Sequence, residues 1–154
     1  MQTAKQFSVQ LVNKPGRFAA VIAALTKEKV GTRAFCVMDS GARGTLRFVP
    51  DEAEQAAAAL DGINVSYDVA DVLLVEINAQ SGGLPRLCQR LAEDHLNIDY
   101  SYGSLLPVGQ KGGSLAVVKV NDLMRAQKLL SDSSGNGQKP KKKQPRKRPA
   151  PSAP

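Results

Sequence analysis

Apolar and polar positions alternate with a strand's period of two from Phe7 through Val9 and Leu11. Pro15-Gly16 interrupts that run, and Phe18, Val21, Ile22 and Leu25 then recur at helical spacing as one apolar stripe. Gly31 is the expected stop. Ala34 to Met38 and Leu46 to Val49 read as two strands around the turn residues Asp39-Ser40-Gly41-Ala42-Arg43-Gly44. Pro50-Asp51-Glu52 opens a second helix, whose acidic start suits the positive end of the helix dipole. Its interior, Ala53 to Leu60, has high helix propensity. Gly62 is expected to end it, and Ile63 to Tyr67 to form a fourth strand. The predicted order is β-α-β-β-α-β.

The same pattern then returns. Leu73, Val75 and Ile77 repeat Phe7, Val9 and Leu11 at an offset of 66 residues, and Leu84, Leu87, Cys88 and Leu91 repeat the first helix stripe. Ile98 to Tyr102 and Leu115 to Val120 repeat the hairpin. Asp122, Ala126 and Leu130 repeat Glu52, Ala56 and Leu60 at an offset of 70. The change of offset places an insertion in the second hairpin, around Pro107 to Gly113, where insertions are tolerated. A repeat of this length is a small domain rather than a solenoid unit. The expected division is 1–69, 70–131 and a tail, 132–154.

The second copy has no counterpart of the fourth strand. Ser131-Asp132-Ser133-Ser134-Gly135-Asn136-Gly137 follows its last helix, then a run rich in Lys and Pro, and residues 132–154 are expected to be disordered. The second half then presents a strand edge, which proteins normally cover or charge. A homodimer is the expected cover.

Charge sharpens the division. Lys139, Lys141, Lys142, Lys143, Arg146, Lys147 and Arg148 give residues 131–154 a net charge of +6 against Asp132, and the other 130 residues sum to +1. The basic character belongs to the tail, so a nucleic-acid-binding fold is not indicated. Cys36 and Cys88 lack ligand or redox spacing and fall in core elements, so buried thiols are expected. The polar start does not resemble a secretory leader, and no apolar run approaches the roughly 18 residues of a membrane span. A cytoplasmic location is the expectation.

Catalysis finds no support. The single histidine, His95, stands near a helix end without ligand partners. Gly109-Gln110-Lys111-Gly112-Gly113-Ser114 lacks the end of a phosphate loop and leads into a strand. Glu93 and Asp94 read as a solvated helix face. No metal or cofactor is expected.

Asn13-Lys14-Pro15-Gly16-Arg17-Phe18 carries more chemistry. It joins a strand end to a helix start, where free backbone N–H groups favour a carboxylate or phosphate. Gly16 permits close approach to the backbone, and Asn13 can donate and accept toward a zwitterion. The same residues also suit an ordinary strand-to-helix turn.

The element order, this turn and the later Leu96-Asn97-Ile98-Asp99-Tyr100 segment together resemble the ACT domain family, specifically stand-alone bacterial proteins with two tandem ACT domains. The resemblance spans about residues 5–130. It implies an α+β fold of two ferredoxin-like lobes side by side, helices on one sheet face. It also implies regulatory, non-enzymatic binding of small ligands, usually amino acids, where the turn of one lobe faces the first hairpin strand of the other. Carried onto this chain, one site would use Asn13, Gly16, Arg17 and Phe18 with Asn97, Ile98, Asp99 and Tyr100. Asp99 would hold the ligand's amino group, and the backbone from Gly16 to Phe18 its carboxylate. A weaker second site would use Gly82, Gly83 and Leu84 with Thr32, Arg33 and Ala34. There Ala79 and Ser81 replace Asn13 and Pro15, and Asn78 stands one position early.

The competing reading is sequence-independent binding of nucleic acid or another polyanion by the basic tail. Seven cations within ten residues neutralise several phosphates, and the absence of aromatics there leaves nothing to stack on bases. A merely solvated tail is the plainer alternative.

Overall fold

The computed structural model describes residues 2–78, 82–105 and 113–131. The elements are β1 (Gln2–Val12), α1 (Arg17–Lys27), β2 (Thr32–Asp39), β3 (Arg43–Pro50), α2 (Ala53–Gly62), β4 (Tyr67–Asn78), α3 (Gly83–Glu93), β5 (Ile98–Leu105), β6 (Gly113–Val120) and α4 (Leu123–Ser131). The strands form one antiparallel sheet in the order β2-β3-β1-β4-β6-β5. This is the expected α+β pair of ferredoxin-like halves, fused through the two central strands.

The fusion explains how the second half manages without a final strand. β1 is longer than its apolar alternation predicts. Phe7 to Val12 pair with β3, while Gln2 to Val9 pair with β4, in register from Gln2 opposite Leu74 to Val9 opposite Tyr67. The stretch 2–6 therefore lies beside β4, in the position of the missing strand. The edge expected to be open is covered by the same chain, and that motive for a dimer disappears. β4 is shared in the same way: its first part serves the first half, and Leu73 to Asn78 pair with β6. It runs unbroken through residues 69 and 70. The fourth strand, expected over Ile63 to Tyr67, begins only at Tyr67, because Ile63 caps α2 and Asn64 turns the chain with φ 52°.

Period two divides the core. Outward residues pack under the helices: Phe7, Val9, Leu46 and Phe48 with Val21, Leu25 and Leu60, and Leu73, Ile77 and Val118 with Leu87, Leu91 and Ala126. Inward residues Ala34, Val49, Val72, Leu74, Leu115 and Val117 form a third cluster on the helix-free face. The outermost strands, β2 and β5, come into contact with each other. The sheet is thus curled around its own inner face, with the helices outside.

Helix ends depart from the expected glycine stops. α1 ends at Lys27 and α3 at Glu93, each followed two positions later by a non-glycine left-handed residue, Lys29 (φ 57°) and His95 (φ 54°). Gly31 serves packing instead. A Cβ there would meet the Asp51 carboxylate, so a larger residue would require that side chain to move.

Candidate ligand sites at the strand-to-helix turns

The two turns differ in what they face. Gly16 is the N-cap of α1 with φ 85°, a backbone state that only glycine enters at low cost. Asn13 is exposed, and its Nδ2 donates to Asp39 Oδ1 at 3.3 Å and to the Gly41 carbonyl at 3.2 Å. Its backbone N–H donates to the Ala42 carbonyl. The turn is tied to the hairpin of its own half. Arg17 and Phe18, with Asn13, Val37 and Leu46, line a small cavity of about 70 Å3.

In the second half Gly82 is the N-cap of α3 with φ 65°. Gly82, Gly83 and Leu84 line a cavity of about 640 Å3 together with Ile98, Ser101 and Gly103 of β5. Both cavities are built within one half of the chain. Ile98, expected opposite Asn13, instead meets the turn at Gly82. Cys88, expected to be buried, is exposed at this cavity, and Cys36 is half-buried. The helix stripe turns Leu87 and Leu91 inward, and position 88 looks onto the cavity instead of a packed partner.

The remaining residues of the two expected sites are spread along the edge strands. The Asn97 backbone N–H donates to Asn121 Oδ1 at 3.0 Å, and Asn121 returns its own N–H to the Asn97 carbonyl. Asp99 is exposed, where the β5 register slips between Ile98 and Tyr100. The β2 register slips at the equivalent place, between Thr32 and Ala34. Thr32 is exposed, Arg33 half-buried and Ala34 buried in the inner cluster.

Tyr100 takes part in a polar network that sequence reasoning missed. Gln6 is fully buried, donates from Nε2 to the Tyr100 hydroxyl at 2.6 Å, and accepts at Oε1 from the Tyr102 hydroxyl at 3.0 Å. The Arg47 guanidinium lies 4.0 Å from the centre of the Tyr100 ring. Burial pushes the Tyr102 hydroxyl well above the usual tyrosine range, with smaller contributions from Cys36 and Tyr100. Burial also pushes up the Cys36 thiol, against the Arg47 charge. The signal in the sequence was present but weak: Tyr100 and Tyr102 alternate onto one strand face, yet nothing local selects Gln6 as their partner.

No group of three or more His, Cys, Asp or Glu that could hold a metal occurs among the described residues, and His95 is exposed. No helix among them is long and apolar enough to cross a membrane. The basic tail from Lys139 to Arg148, most of the Pro107 to Gly113 insertion, and Ala79 to Ser81 lie outside the described residues.

Comparison with known proteins agrees with this architecture. A family model described as an ACT domain pair matches residues 2–133. A crystal structure of a protein from Bacteroides thetaiotaomicron superimposes with a TM-score of 0.77 at 23% identity, covering 86% of this chain and 89% of that one. The ligand-free regulatory subunit of aspartate kinase from Thermus thermophilus gives 0.58 at 17% identity, covering 85% and 91%. The corresponding subunit from Thermus flavus gives 0.59 at 16%, covering 85% and 90%. No curated protein matches in sequence.

Proposed function

Because the chain belongs to the family of ACT domain pairs, we propose that it is a non-enzymatic, cytoplasmic regulatory module that binds an amino acid at its strand-to-helix turns. The observation that carries this reading is the pair of glycine N-caps, Gly16 and Gly82, both left-handed and both without a side-chain cap. Each starts a helix of 11 residues whose first N–H groups favour a carboxylate. The likeness to regulatory subunits of aspartate kinase supports a regulatory role of the same kind.

In this reading the chain works as a homodimer. The surface for it is β2, an outer strand with Phe35 and Val37 exposed at 57% and 55%, next to the Asn13 turn. A second copy on that strand would cover these side chains. It would also offer Asn97 to Tyr100 to Asn13, Gly16, Arg17 and Phe18 between copies, a meeting that the single chain does not make. Binding would regulate a partner through its preference for one assembly state.

The test is a thermal-shift screen of the twenty amino acids against the full chain, with light scattering alongside. At least one amino acid is expected to raise the melting temperature in a concentration-dependent way. No shift with any of them at millimolar concentration would overturn the reading.

A further inference from the structure

The two turn cavities are the same cavity twice, and the repeat register shows why one is so much smaller. At an offset of 66, Leu11, Arg17, Phe18 and Val37 correspond to Ile77, Gly83, Leu84 and Gly103; at 70, Gly44 and Leu46 correspond to Ser114 and Ala116. All of these line their respective cavities. In the first half Val37 faces Leu46 across β2 and β3, and in the second Gly103 faces Ala116 across β5 and β6. Two branched side chains have been replaced by a hydrogen and a methyl. Phe18 and Arg17 are likewise replaced by the smaller Leu84 and Gly83. The cavity grows from about 70 to about 640 Å3, which falls within the usual range for small-molecule sites.

Gly103 is not required by its backbone. Its φ lies outside the left-handed region, and a Cβ built there would meet nothing closer than the Leu115 carbonyl at 3.8 Å. A strand interior gains nothing in stability from such a glycine. The space it leaves is the feature that remains to be explained.

The lining determines the ligand. Ile77, Leu84, Leu87, Ile98, Ala116 and Val118 make the wall, and no charged side chain takes part among the described residues. A charged ligand side chain lying among these walls would be without a partner, which is unfavourable. The polar residues of the described lining are Ser101, Ser114, Tyr102 and Cys88, with Gly82 and Gly83 at the start of α3.

We infer that the second half holds a binding pocket for an amino acid with an uncharged apolar side chain, aliphatic or aromatic, and that within one copy the larger side chains of the first half reduce its counterpart to about 70 Å3. The apolar specificity follows from the pocket walls, while the amino-acid backbone of the ligand rests on the reading under Proposed function. The apolar side chain lies between β5 and α3, and the carboxylate meets the start of α3.

The test installs the first half's own residues in the second. Leucine, phenylalanine, aspartate, lysine and 4-methylpentanoate, which is leucine's skeleton without the amino group, are titrated calorimetrically into the full chain. Leucine or phenylalanine is expected to bind, with aspartate and lysine weaker by about tenfold or more. Gly103→Val and Ala116→Leu should each weaken binding by a similar factor. Bound ligand should slow alkylation of Cys88 by iodoacetamide in the unsubstituted chain, a readout that does not depend on a variant folding. Amino-acid binding that survives both substitutions, with Cys88 unprotected, overturns the pocket and leaves the amino-acid reading standing. Binding of 4-methylpentanoate alone, lost in Gly103→Val, supports the pocket and overturns the amino-acid reading. Binding of none of the probes overturns both.

Discussion

Gln6 and Tyr100 stand 94 residues apart in sequence and meet at 2.6 Å, the Gln6 Nε2 donating to the tyrosine hydroxyl. Gln6 sits on β1, the strand that completes the second half, and Tyr100 on β5 at the sheet's far edge. Their bond crosses the inner face and joins the edge to the centre. Arg47 of β3, stacked on the same ring, extends the link into the first half.

Removing Gln6 should therefore destabilise the whole sheet. Gln6→Ala withdraws the partner of the Tyr102 O–H and opens a buried gap. The expected cost is about 1–3 kcal/mol, measured by urea unfolding. Gln6→Ala matching the unsubstituted chain within error would contradict the network's role.

Tyr102 makes stability sensitive to alkali. Its hydroxyl titrates above the ordinary tyrosine value in the folded chain because burial disfavours the phenolate. Below the unfolded pKa both states keep the proton, and its contribution is fully present. Above about pH 10 the unfolded chain loses its proton first, binds fewer protons than the native one, and is favoured. Stability should fall as the pH rises beyond that point, and Tyr102→Phe should flatten the fall while losing the bond to Gln6. Melting curves from about pH 8 to about pH 11, spanning the ordinary tyrosine pKa, test both parts.

Two glycines should respond oppositely to alanine. At Gly16 a Cβ would meet nothing within 4 Å, so the cost of Gly16→Ala is purely conformational, about 1–2 kcal/mol for the left-handed backbone. Gly103 has ordinary φ and room for a methyl, so Gly103→Ala should be neutral or stabilising by up to about 1 kcal/mol. Chemical denaturation of the two variants compares them directly.

Deleting residues 1–6 should uncover the edge of β4 next to Ala70 to Leu74. The shortened chain is expected to associate or aggregate by strand pairing at micromolar concentration. Light scattering and faster amide exchange in residues 70–74 would report it. A monodisperse shortened chain with unchanged exchange would mean that the pairing of residues 2–6 contributes little.

Truncation after Ser131 removes all seven tail cations. Any affinity for heparin or DNA is expected to vanish with them and to be steeply salt-dependent before that. Amino-acid binding should be unchanged, since the turn cavities lie within residues 11–118. Equal polyanion binding by the truncated chain would place that activity in the folded part.

Much of the architecture was legible because apolar periodicity is a local property. Phe7, Val9 and Leu11 mark a strand face whatever they pack against, and the stripe from Val21 to Leu25 marks a helix. The 66-residue register then identified two equivalent halves. The strand-to-helix turns at Gly16 and Gly82 were legible as interruptions of these patterns, whereas their left-handed N-caps are seen only in the structure. Gln2-Thr3-Ala4-Lys5-Gln6 carries no such alternation, and only the open edge of β4 makes it a strand.

The order of elements, the repeat and the glycine turns thus followed from the sequence alone, because each rests on spacing within a few residues. Tertiary structure alone decided which strand completes the second half, which half each turn faces, and how large each cavity is. Those outcomes depend on pairings between distant residues: Gln2 with Leu74, Gln6 with Tyr100, Gly103 with Ala116. A glycine and an alanine are ordinary residues when read along the chain. Facing each other across two strands, they leave a space that neither predicts alone.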